Sequence, residues 1–271
     1  MGETSEAFSL GKAAREAGYR LEAQVEVSST FDVALSRARQ GEPSQLWIVA
    51  RSQTQGRGRH GRTFLSPSGN LYASLLLVEG CRRADAPELG FAAGLALFDA
   101  ASALTGLCHP RLSLKWPNDL LVDGKKCAGL LLEGHQLDGA FALIIGIGVN
   151  VAVLPPGLPE AEMLCSFARE ATAEQLFTAL SDAFARRYSD WLQAPRGAQA
   201  QFSAWADRAH GLGARVRVRL PKGEVVGLFR GLDRGRLILD TQQGLEMLDA
   251  GDLYVLDAAE VSQSRVAPSA E

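Results

Sequence analysis

The chain has 271 residues, a length that favours two domains over one. Hydrophobic residues make up 46% and charged residues 22%, which are ordinary globular values and exclude a disordered or fibrous chain. The net charge of −3 argues against the whole chain being an electrostatic trap for nucleic acid. The longest uncharged apolar stretch, residues 140–154, is shorter than the roughly 18–20 residues of a membrane helix, so no membrane partner is expected.

The cysteines give no sign of a disulfide framework or of a zinc site. The chain contains Cys81, Cys108, Cys127 and Cys165. They are far apart, and no CxxC pair or cysteine–histidine spacing typical of zinc occurs. Structural thiols are typical of a reducing compartment, and the N-terminal residues have no apolar signal core, so the predicted location is the cytoplasm.

The first part of the chain alternates predicted strands and helices. A short Ala-rich helix within residues 5–17 precedes a strand over 20–27, where apolar residues alternate. Ser29 is in a position typical of a helix N-cap, with Phe31 on the apolar face of the helix that follows. Further strands are predicted at 46–50 and 71–78. Residues 88–104 are apolar nearly all round, which predicts a core helix.

A strand-rich block and two helices follow. Strands are predicted at 112–116, 120–122, 128–133 and 141–151. Asp123-Gly124 is a strong hairpin signal between two of them. Thr172 and Gln175 form a capping box that opens a long amphipathic helix, and a second helix is predicted at 199–209.

The pattern changes from Leu212 onward. Five short strands separated by glycine turns are predicted at 215–220, 224–230, 236–240, 245–248 and 253–256. This spacing is typical of a small SH3-like barrel, and the domain boundary is expected near residues 210–213. Because helices and hairpins are mixed upstream, the predicted fold class is α+β, with a mixed-sheet domain followed by the barrel.

The most distinctive motif is the loop Gly56-Arg57-Gly58-Arg59-His60-Gly61-Arg62. It is neither a Walker loop nor a dinucleotide fingerprint, because no Gly-Lys-Ser/Thr follows and a strand rather than a helix is predicted next. Glycines allow close backbone approach to an anion, and guanidinium groups grip carboxylate or phosphate oxygens in pairs. A solvated arginine–glycine loop that binds RNA non-specifically is the alternative from this motif alone.

Three further motifs are moderate signals by themselves. Lys115-Trp116-Pro117-Asn118-Asp119 offers a cation, an amide and a carboxylate for phosphate, nucleoside and Mg²⁺, although a plain turn is equally compatible. Lys126-Cys127-Ala128-Gly129 directs a lysine over small residues, or is simply part of a solvated hairpin. Gly146-Ile147-Gly148-Val149-Asn150 leaves bare backbone on one strand face, for a flat ligand or for tight sheet packing.

Together and in this order, the four motifs resemble those of the biotin protein ligases, and the resemblance covers about residues 25–257. It implies a biotin/lipoate ligase catalytic domain at 25–210 and a C-terminal SH3-like domain at 211–258. It leaves an N-terminal extension at 1–24, and the low complexity of the C-terminal residues predicts a disordered tail at 259–271. Some members carry an N-terminal DNA-binding domain. Too few residues precede Val27 for such a domain. We therefore expect a form that lacks the DNA-binding domain and has no DNA partner.

The resemblance also implies roles for individual residues. The residues expected at biotin are Ser29, Thr30, Phe31, Gln53, Gly56, Arg57, Gly58, Arg59, Lys126 and Gly129. The residues expected at ATP are Arg57, Arg62, Phe64, Lys115, Asn118 and Asn150. Asp119 is the expected Mg²⁺ ligand, and Arg59 and Lys126 are the expected catalytic residues. Phe31 stands where the family usually has Asn, Phe64 where it commonly has Trp, and His60 where Arg is common.

The implied reaction has two steps. ATP activates the biotin carboxylate as biotinyl-5′-AMP, and the acyl group then passes to one lysine of a biotin carboxyl carrier protein. The nearest rival function is that of a lipoate or octanoate ligase or transferase of the same fold. Two more distant rivals are a non-enzymatic RNA-binding protein that uses the arginine–glycine loop, and a biotin-sensing pseudoenzyme. A homodimer is possible, since sheet-edge dimers occur in the family.

Overall fold

A computed structural model describes residues 7–193 and 197–256. The tail predicted at 259–271 lies outside these residues. The helices are α1 (Lys12–Glu16), α2 (Thr30–Arg39), α3 (Ala86–Thr105), α4 (Ala173–Gln193) and α5 (Gly197–Ala206). Each corresponds to a helix predicted from the sequence, although α1 is shorter than its predicted range and α5 ends earlier, at Ala206.

Seven strands form one mixed sheet. They are β1 (Arg20–Val27), β2 (Leu46–Gln53), β3 (Leu71–Val78), β4 (Leu112–Lys115), β5 (Asp119–Val122), β6 (Lys125–Leu137) and β7 (Ala140–Val149). Their order across the sheet is β1-β2-β3-β7-β6-β5-β4. Strands β1 and β2 are parallel, and every other neighbouring pair is antiparallel. The arrangement confirms the predicted α+β class with a mixed sheet.

The two faces of this sheet are covered unequally. Helices α3 and α4 pack on one face over the large core, and α3 is buried on nearly all sides, as its composition predicts. Among the helices of the described residues, only α2 packs on the other face, against β2, β3 and β7, where Phe31, Ile48 and Ile144 form a small second core. The remainder of that face is free to form a cavity beside the beginning of α2.

The predicted hairpin and capping box are present in the structure, whereas the predicted N-cap and the predicted apolar face of β1 are only partly confirmed. Asp123 and Gly124 both have positive φ, as a two-residue hairpin of type I′ requires. Thr172 and Gln175 bond reciprocally at 3.2 Å and form the capping box. Ser29 occupies the N-cap position of α2, but its hydroxyl makes no capping hydrogen bond. In β1 the alternating apolar face is not buried, and Val25 is 75% exposed, because β1 lies at the sheet edge.

The C-terminal unit is an antiparallel sheet of five strands. They are β8 (Arg215–Leu220), β9 (Gly223–Asp233), β10 (Arg236–Thr241), β11 (Gly244–Leu248) and β12 (Asp252–Val255), in the order β11-β10-β9-β8-β12. The five predicted strands are present, but the predicted barrel is not closed, because the edge strands β11 and β12 do not pair with each other in the described part of the chain. The unit packs directly on the first sheet: the buried Trp116 donates from Nε1 to the carbonyl of Gly235 at 3.1 Å. The chain leaving α5 also pairs with β4, since the amide of His210 donates to the carbonyl of Leu114 at 2.8 Å. These contacts bring β12 close to the open face of the first sheet.

Candidate functional site

One cavity of about 530 Å³ gathers most of the residues singled out by the motifs. It is lined by Ser29, Thr30, Phe31, Gln53, Arg57, Gly58, Arg59, Arg62, Phe64, Asn118, Asp119, Lys126, Gly129 and Asn150, together with neighbouring residues. Of the residues expected at biotin, ATP or Mg²⁺, Gly56 and Lys115 do not line it. Four motifs far apart in the sequence therefore meet at one place, between the start of α2, the glycine loop and strands β5 to β7.

One end of the cavity carries a chain of uncharged polar groups. The Thr30 amide donates to Oε1 of Gln53 at 2.8 Å, and the Thr30 hydroxyl lies 3.1 Å from the same oxygen. The Thr30 hydroxyl also lies 2.9 Å from that of Ser74, and Nε2 of Gln53 donates to Oγ of Ser66 at 2.9 Å. Buried polar groups are costly unless paired, so this network holds the Gln53 amide in one orientation.

Gly56 makes this arrangement possible. A Cβ at residue 56 would lie 2.2 Å from the carbonyl oxygen of Phe64 and 2.5 Å from Oγ of Ser66. The Phe64 amide donates to the Gly56 carbonyl at 2.9 Å, which folds the glycine loop back on itself. Gly56 is thus required for close backbone approach beneath the cavity, although it does not line the cavity itself.

Arg57 is held at the side of the cavity by two acids and a ring. Its guanidinium donates to Oδ1 of Asp32 at 2.8 Å and lies 3.3 Å from Oε1 of Glu133. It also lies 4.9 Å from the centroid of the Phe31 ring, which is cation–π distance. Phe31, which stands where the resemblance expects Asn, supports Arg57 here.

Arg59 joins the glycine loop to the KWPND segment and to the C-terminal unit. Its guanidinium donates to Oδ1 of Asn118 at 3.0 Å and to the carbonyl of Gly251 at 3.4 Å. Its Nη1 lies 3.5 Å from Oδ1 of Asp252, and the more exposed Arg62 lies 3.5 Å from the other oxygen of that carboxylate. Asn118 is fixed in turn, because its amide donates to the carbonyl of Leu130. The Asn118 amide therefore positions Arg59.

Lys126 projects into the cavity across Gly129. Its ammonium lies 2.7 Å from Oδ1 of Asp119, and a Cβ at residue 129 would lie 3.1 Å from that ammonium. A register shift between Leu120 and Leu121 on the paired strand β5 marks a bulge at this point, and Cys127 beside Lys126 is buried in the core. The small residue and the bulge explain why this lysine faces the cavity, as the motif predicts.

Lys115 lies behind the cavity at the domain junction. Its ammonium lies 5.0 Å from the ring centroid of Tyr254. Burial lowers the pKa of Lys115, and the nearby Lys126 lowers this pKa further, whereas Asp119 and Asp252 oppose the shift. Lys115 therefore lies at the junction of the two domains and does not line the cavity.

The two glycines of β7 make room for aromatic rings. A Cβ at Gly146 would lie 3.3 Å from Phe31, and a Cβ at Gly148 would lie 2.7 Å from the ring of Phe64. The bare strand face that the sequence offered to a flat ligand is therefore covered by two phenylalanine side chains, which themselves line the cavity. Asn150, at the end of β7, donates to the carbonyl of Glu162 at 3.3 Å and lines the same wall.

Several residues of the site were not anticipated, among them Ser74, Ser66 and Asp252. Ser74 is fully buried beside Thr30, and it is the only polar residue except Tyr72 in the apolar strand β3, a signal that sequence reading can use. Ser66 orients Gln53 from the loop that follows the glycine motif. Asp252 reaches the loop arginines from the C-terminal unit, and nothing in the sequence around it indicates that contact.

The arrangement suits a ligand with two different ends. Neutral hydrogen-bonding groups are gathered at Thr30 and Gln53. The cations Arg59 and Lys126 are gathered at Asn118 and Asp119, and Arg57 lies beside Phe31. Such a site can bind an uncharged polar head group and concentrate positive charge on anionic atoms. Among residues 7–193 and 197–256, no group of three or more His, Cys, Asp or Glu side chains is placed to hold a metal ion by itself.

Comparison with protein families gives two matches. Residues 23–150 match the biotin/lipoate A/B protein ligase family, and residues 211–256 match the biotin protein ligase C-terminal domain. The second match begins where the strand pattern of the C-terminal unit begins.

Relatives and solved structures agree with these matches. A biotin–[acetyl-CoA-carboxylase] ligase of Paracoccus denitrificans is 35% identical over 79% of this chain and 92% of its own length. The ligase of the same description from Mycobacterium tuberculosis is 34% identical over 88% of this chain and 90% of its own length. The biotin protein ligase of Aquifex aeolicus, in complex with biotin and ATP, superposes with a TM-score of 0.75 at 25% identity, covering 88% of this chain and 99% of that chain. The Leishmania major ligase in complex with biotinyl-5-AMP has a TM-score of 0.62 at 28% identity, covering 85% of this chain and 99% of that chain.

Proposed function

The chain belongs to the biotin/lipoate protein ligase family, with the biotin–[acetyl-CoA-carboxylase] ligases among its relatives, and we propose that it activates biotin with ATP and transfers it to a carrier lysine. In the first step a biotin carboxylate oxygen attacks the α-phosphorus of ATP. The bond from that phosphorus to the bridging oxygen breaks, and pyrophosphate leaves. In the second step the lysine amine attacks the acyl carbon, and AMP leaves.

The observation that carries this proposal is the pairing of two unlike ends in one cavity. Biotin has an uncharged ureido ring at one end and a carboxylate at the other. The network of Thr30, Gln53 and Ser74 supplies donors and acceptors for the ring, and the buried Ser29 lies beside it. Lys126 and Arg59 lie on the side where the carboxylate and phosphates would meet.

The chemistry explains why cations dominate this side. A carboxylate is a weak nucleophile, and its attack on a phosphate brings two anions together. Catalysis therefore depends on positioning and on charge neutralisation more than on a general base. Lys126 supplies a cation whose position is set by Asp119, and Arg59 supplies a second one set by Asn118.

Mg²⁺ fits this proposal as an ion that enters with the nucleotide. Asp119 is the carboxylate beside Lys126, and its 2.7 Å ion pair leaves it one further oxygen for a metal. Mg²⁺ is commonly held by one or two carboxylates, substrate phosphates and water, so a single aspartate suffices. Asp119 would hold the ion, which when bound neutralises phosphate charge. Lys126 and Arg59 act on the same charge from the protein.

We further propose the division of labour that the sequence suggests. The catalytic domain, predicted at residues 25–210, also includes all of β1 from Arg20, and Phe8, Leu10, Ala14 and Tyr19 of the predicted N-terminal extension belong to its core. The C-terminal domain, predicted at residues 211–258, assists ATP and carrier engagement. The contact of Asp252 with Arg59 supports the role at ATP. The four free cysteines support a cytoplasmic location. A homodimer remains a prediction, for which the edge strand β1 offers unpaired backbone groups.

ATP–pyrophosphate exchange with Mg²⁺, in separate reactions with biotin, lipoate, octanoate and no acid, tests the activation step. Exchange with biotin alone is expected. Exchange with lipoate or octanoate instead would favour the sister activity, which the matched family also includes. Transfer is tested by labelling an acetyl-CoA carboxylase carrier domain, with its acceptor lysine changed to Arg as the control. The RNA-binding hypothesis predicts salt-sensitive RNA binding and no exchange with any acid.

Gly56→Ala is expected to weaken biotin binding by about tenfold or more. The added Cβ must displace the Phe64 carbonyl or Ser66, and the hydrogen bond that orients Gln53 is lost with them. Isothermal titration of biotin measures the effect. Gly61→Ala is the matched control: its Cβ meets nothing, so only the positive φ of 72° is strained and biotin affinity is retained. Equal affinity of both variants would contradict the role given to Gly56.

A further inference from the structure

One wall of the cavity is a segment with almost no regular structure. Residues 152–163, hereafter the 152–163 segment, run from the end of β7 to a single helical turn at Leu164–Ser166. Pro155, Leu158 and Pro159 from this segment line the cavity, as do Glu160 and Ala161. The segment lies directly beside Lys126 and Asn150, on the side of the cavity assigned above to the nucleotide.

The returning part of this segment is bonded to the backbone of Lys126. The Lys126 amide donates to the carbonyl of Glu160 at 2.9 Å, and the Glu162 amide donates to the carbonyl of Lys126 at 2.9 Å. Ala161 and Lys126 form a parallel β-bridge. The position of this wall is therefore coupled to the residue that carries the positive charge.

The outgoing part of the segment is bonded to one side chain, that of Asn70. Oδ1 of Asn70 accepts from the amides of Val151, Ala152 and Val153 at 2.8, 3.1 and 3.1 Å. Nδ2 of Asn70 donates to the carbonyl of Val153 at 2.8 Å. One amide side chain thus forms four hydrogen bonds to three consecutive residues. After Leu154 come Pro155 and Pro156, which have no N–H, so this part of the segment has few backbone donors of its own.

Asn70 is rigidly placed for this task. It is 2% exposed and precedes β3 at the end of a tight turn. The Tyr72 hydroxyl donates to the carbonyl of Pro67 at 2.7 Å and holds that turn. Gly69 has a φ of +103°, and a Cβ there would lie 3.0 Å from the Val153 side chain. The turn and the outgoing part of the segment are therefore in direct contact, with Asn70 as the hydrogen-bonding group between them.

We propose that Asn70 is a positioning residue that holds the 152–163 segment against the nucleotide side of the cavity, so that it governs ATP binding and not biotin binding. This proposal rests on the proposed function. Asn70 touches neither reacting group and does not line the cavity. It acts through Val151, Ala152 and Val153 on the wall, and through the wall on the space next to Lys126. The neutral polar end of the cavity, at Thr30 and Gln53, is held by its own network, and the side-chain hydrogen bonds of Asn70 go instead to Val151, Ala152 and Val153.

The test compares Asn70→Ala, Asn70→Asp and the control Ser102→Ala. In Asn70→Ala the KM for ATP in pyrophosphate exchange is expected to rise about tenfold or more, since several hydrogen bonds are lost. The Kd for biotin is expected to stay within about twofold of wild type. Asn70→Asp keeps the acceptor of the three amides but loses the donor to Val153, so an intermediate KM is expected. Ser102→Ala removes a side-chain hydrogen bond to the carbonyl of Leu107, at the end of α3 away from the cavity, and is expected to change neither constant.

Hydrogen exchange gives a readout that does not depend on activity. Amides of residues 151–153 are expected to exchange faster in Asn70→Ala, while those of β3 and β7 keep their protection. If Asn70→Ala does not fold, the KM for ATP, the Kd for biotin and the hydrogen exchange of Asn70→Asp test the role of Asn70 instead. An unchanged KM for ATP in a folded variant, or equal losses of ATP and biotin binding, would overturn the role of Asn70. Absence of biotin-dependent exchange in the wild-type protein would instead overturn the proposed function itself.

Discussion

Lys126→Ala is expected to lower the rate of biotin-dependent pyrophosphate exchange by about two to three orders of magnitude, the usual effect of removing one preorganised electrostatic group from an active site. Lys126 brings its ammonium to the cavity across Gly129, 2.7 Å from Asp119. Without it, the approach of a carboxylate to a phosphate loses its nearest protein cation. Because this charge acts mainly when the new oxygen–phosphorus bond forms, kcat is expected to fall more than the affinity for biotin.

Lys125→Ala is the matched control for this variant. Lys125 is the adjacent residue of the same strand, is exposed and does not line the cavity, so exchange at the wild-type rate is expected. Lys126→Arg tests whether the position of the charge matters as well as its presence. The variant keeps the positive charge, but the broader guanidinium must fit over Gly129, so only partial activity is expected. Single-turnover formation of the adenylate separates the chemical step from product release. If Lys126→Ala and Lys125→Ala exchange at similar rates, Lys126 is not the catalytic cation.

Arg59→Ala is expected to release biotinyl-5′-AMP between about tenfold and a hundredfold faster than wild type. Hydrogen bonds to charged groups contribute roughly 1.5–3 kcal/mol each, and about 1.4 kcal/mol corresponds to a tenfold change in affinity. Arg59 connects Asn118 with Gly251 and Asp252, so it joins the glycine loop to both domains. Without this side chain the loop loses its attachment over the activated intermediate, and water and foreign amines gain access.

The measurement is the dissociation rate of the preformed adenylate, together with labelling of an unrelated lysine-rich protein. Released adenylate acylates exposed lysines without selection, so labelling of the bystander protein is expected to increase. Arg111→Ala serves as the control. Arg111 forms a surface ion pair with Asp123 and does not line the cavity, so its loss is expected to leave adenylate retention unchanged. Retention of the adenylate at the wild-type rate in Arg59→Ala would show that the loop is held by other contacts.

Sequence reasoning succeeded where a short stretch of residues decides the outcome. The Asp123-Gly124 hairpin and the Thr172–Gln175 capping box follow from local dihedral preference and hydrogen bonding, and both are present. The five strands after Leu212 follow from alternation and turn spacing. Strands β2 and β6 were predicted too short, because hydrogen bonds to the neighbouring strands continue beyond the apolar residues from which the strands were predicted.

The same distinction between local and long-range information applies to the residues of the site. The sequence singled out the motifs that contain Arg59 and Lys126, and both residues line the cavity. Glycine loops and lysines followed by small residues can be recognised within a few positions of the chain, whereas the roles of the two residues were implied by the resemblance. Asp252 was not found, because its contact with Arg59 joins distant parts of the chain and exists only once the two domains pack together. Residues of this second kind have no local signature: an aspartate in a short strand looks the same whether it faces solvent or an arginine.

By itself, the sequence determined the mixed α+β class, the order of the elements and the four motifs that meet at the cavity. Periodicity and turn chemistry depend on residues that are close together in the chain, so both can be recognised from the sequence alone. Only the tertiary structure decided that Phe31 and Phe64 occupy the space left by Gly146 and Gly148, and that Asn70 contacts the segment that pairs with Lys126. Those outcomes depend on which surfaces come within contact distance when strands distant in the chain pair, and that is a property of packing in three dimensions.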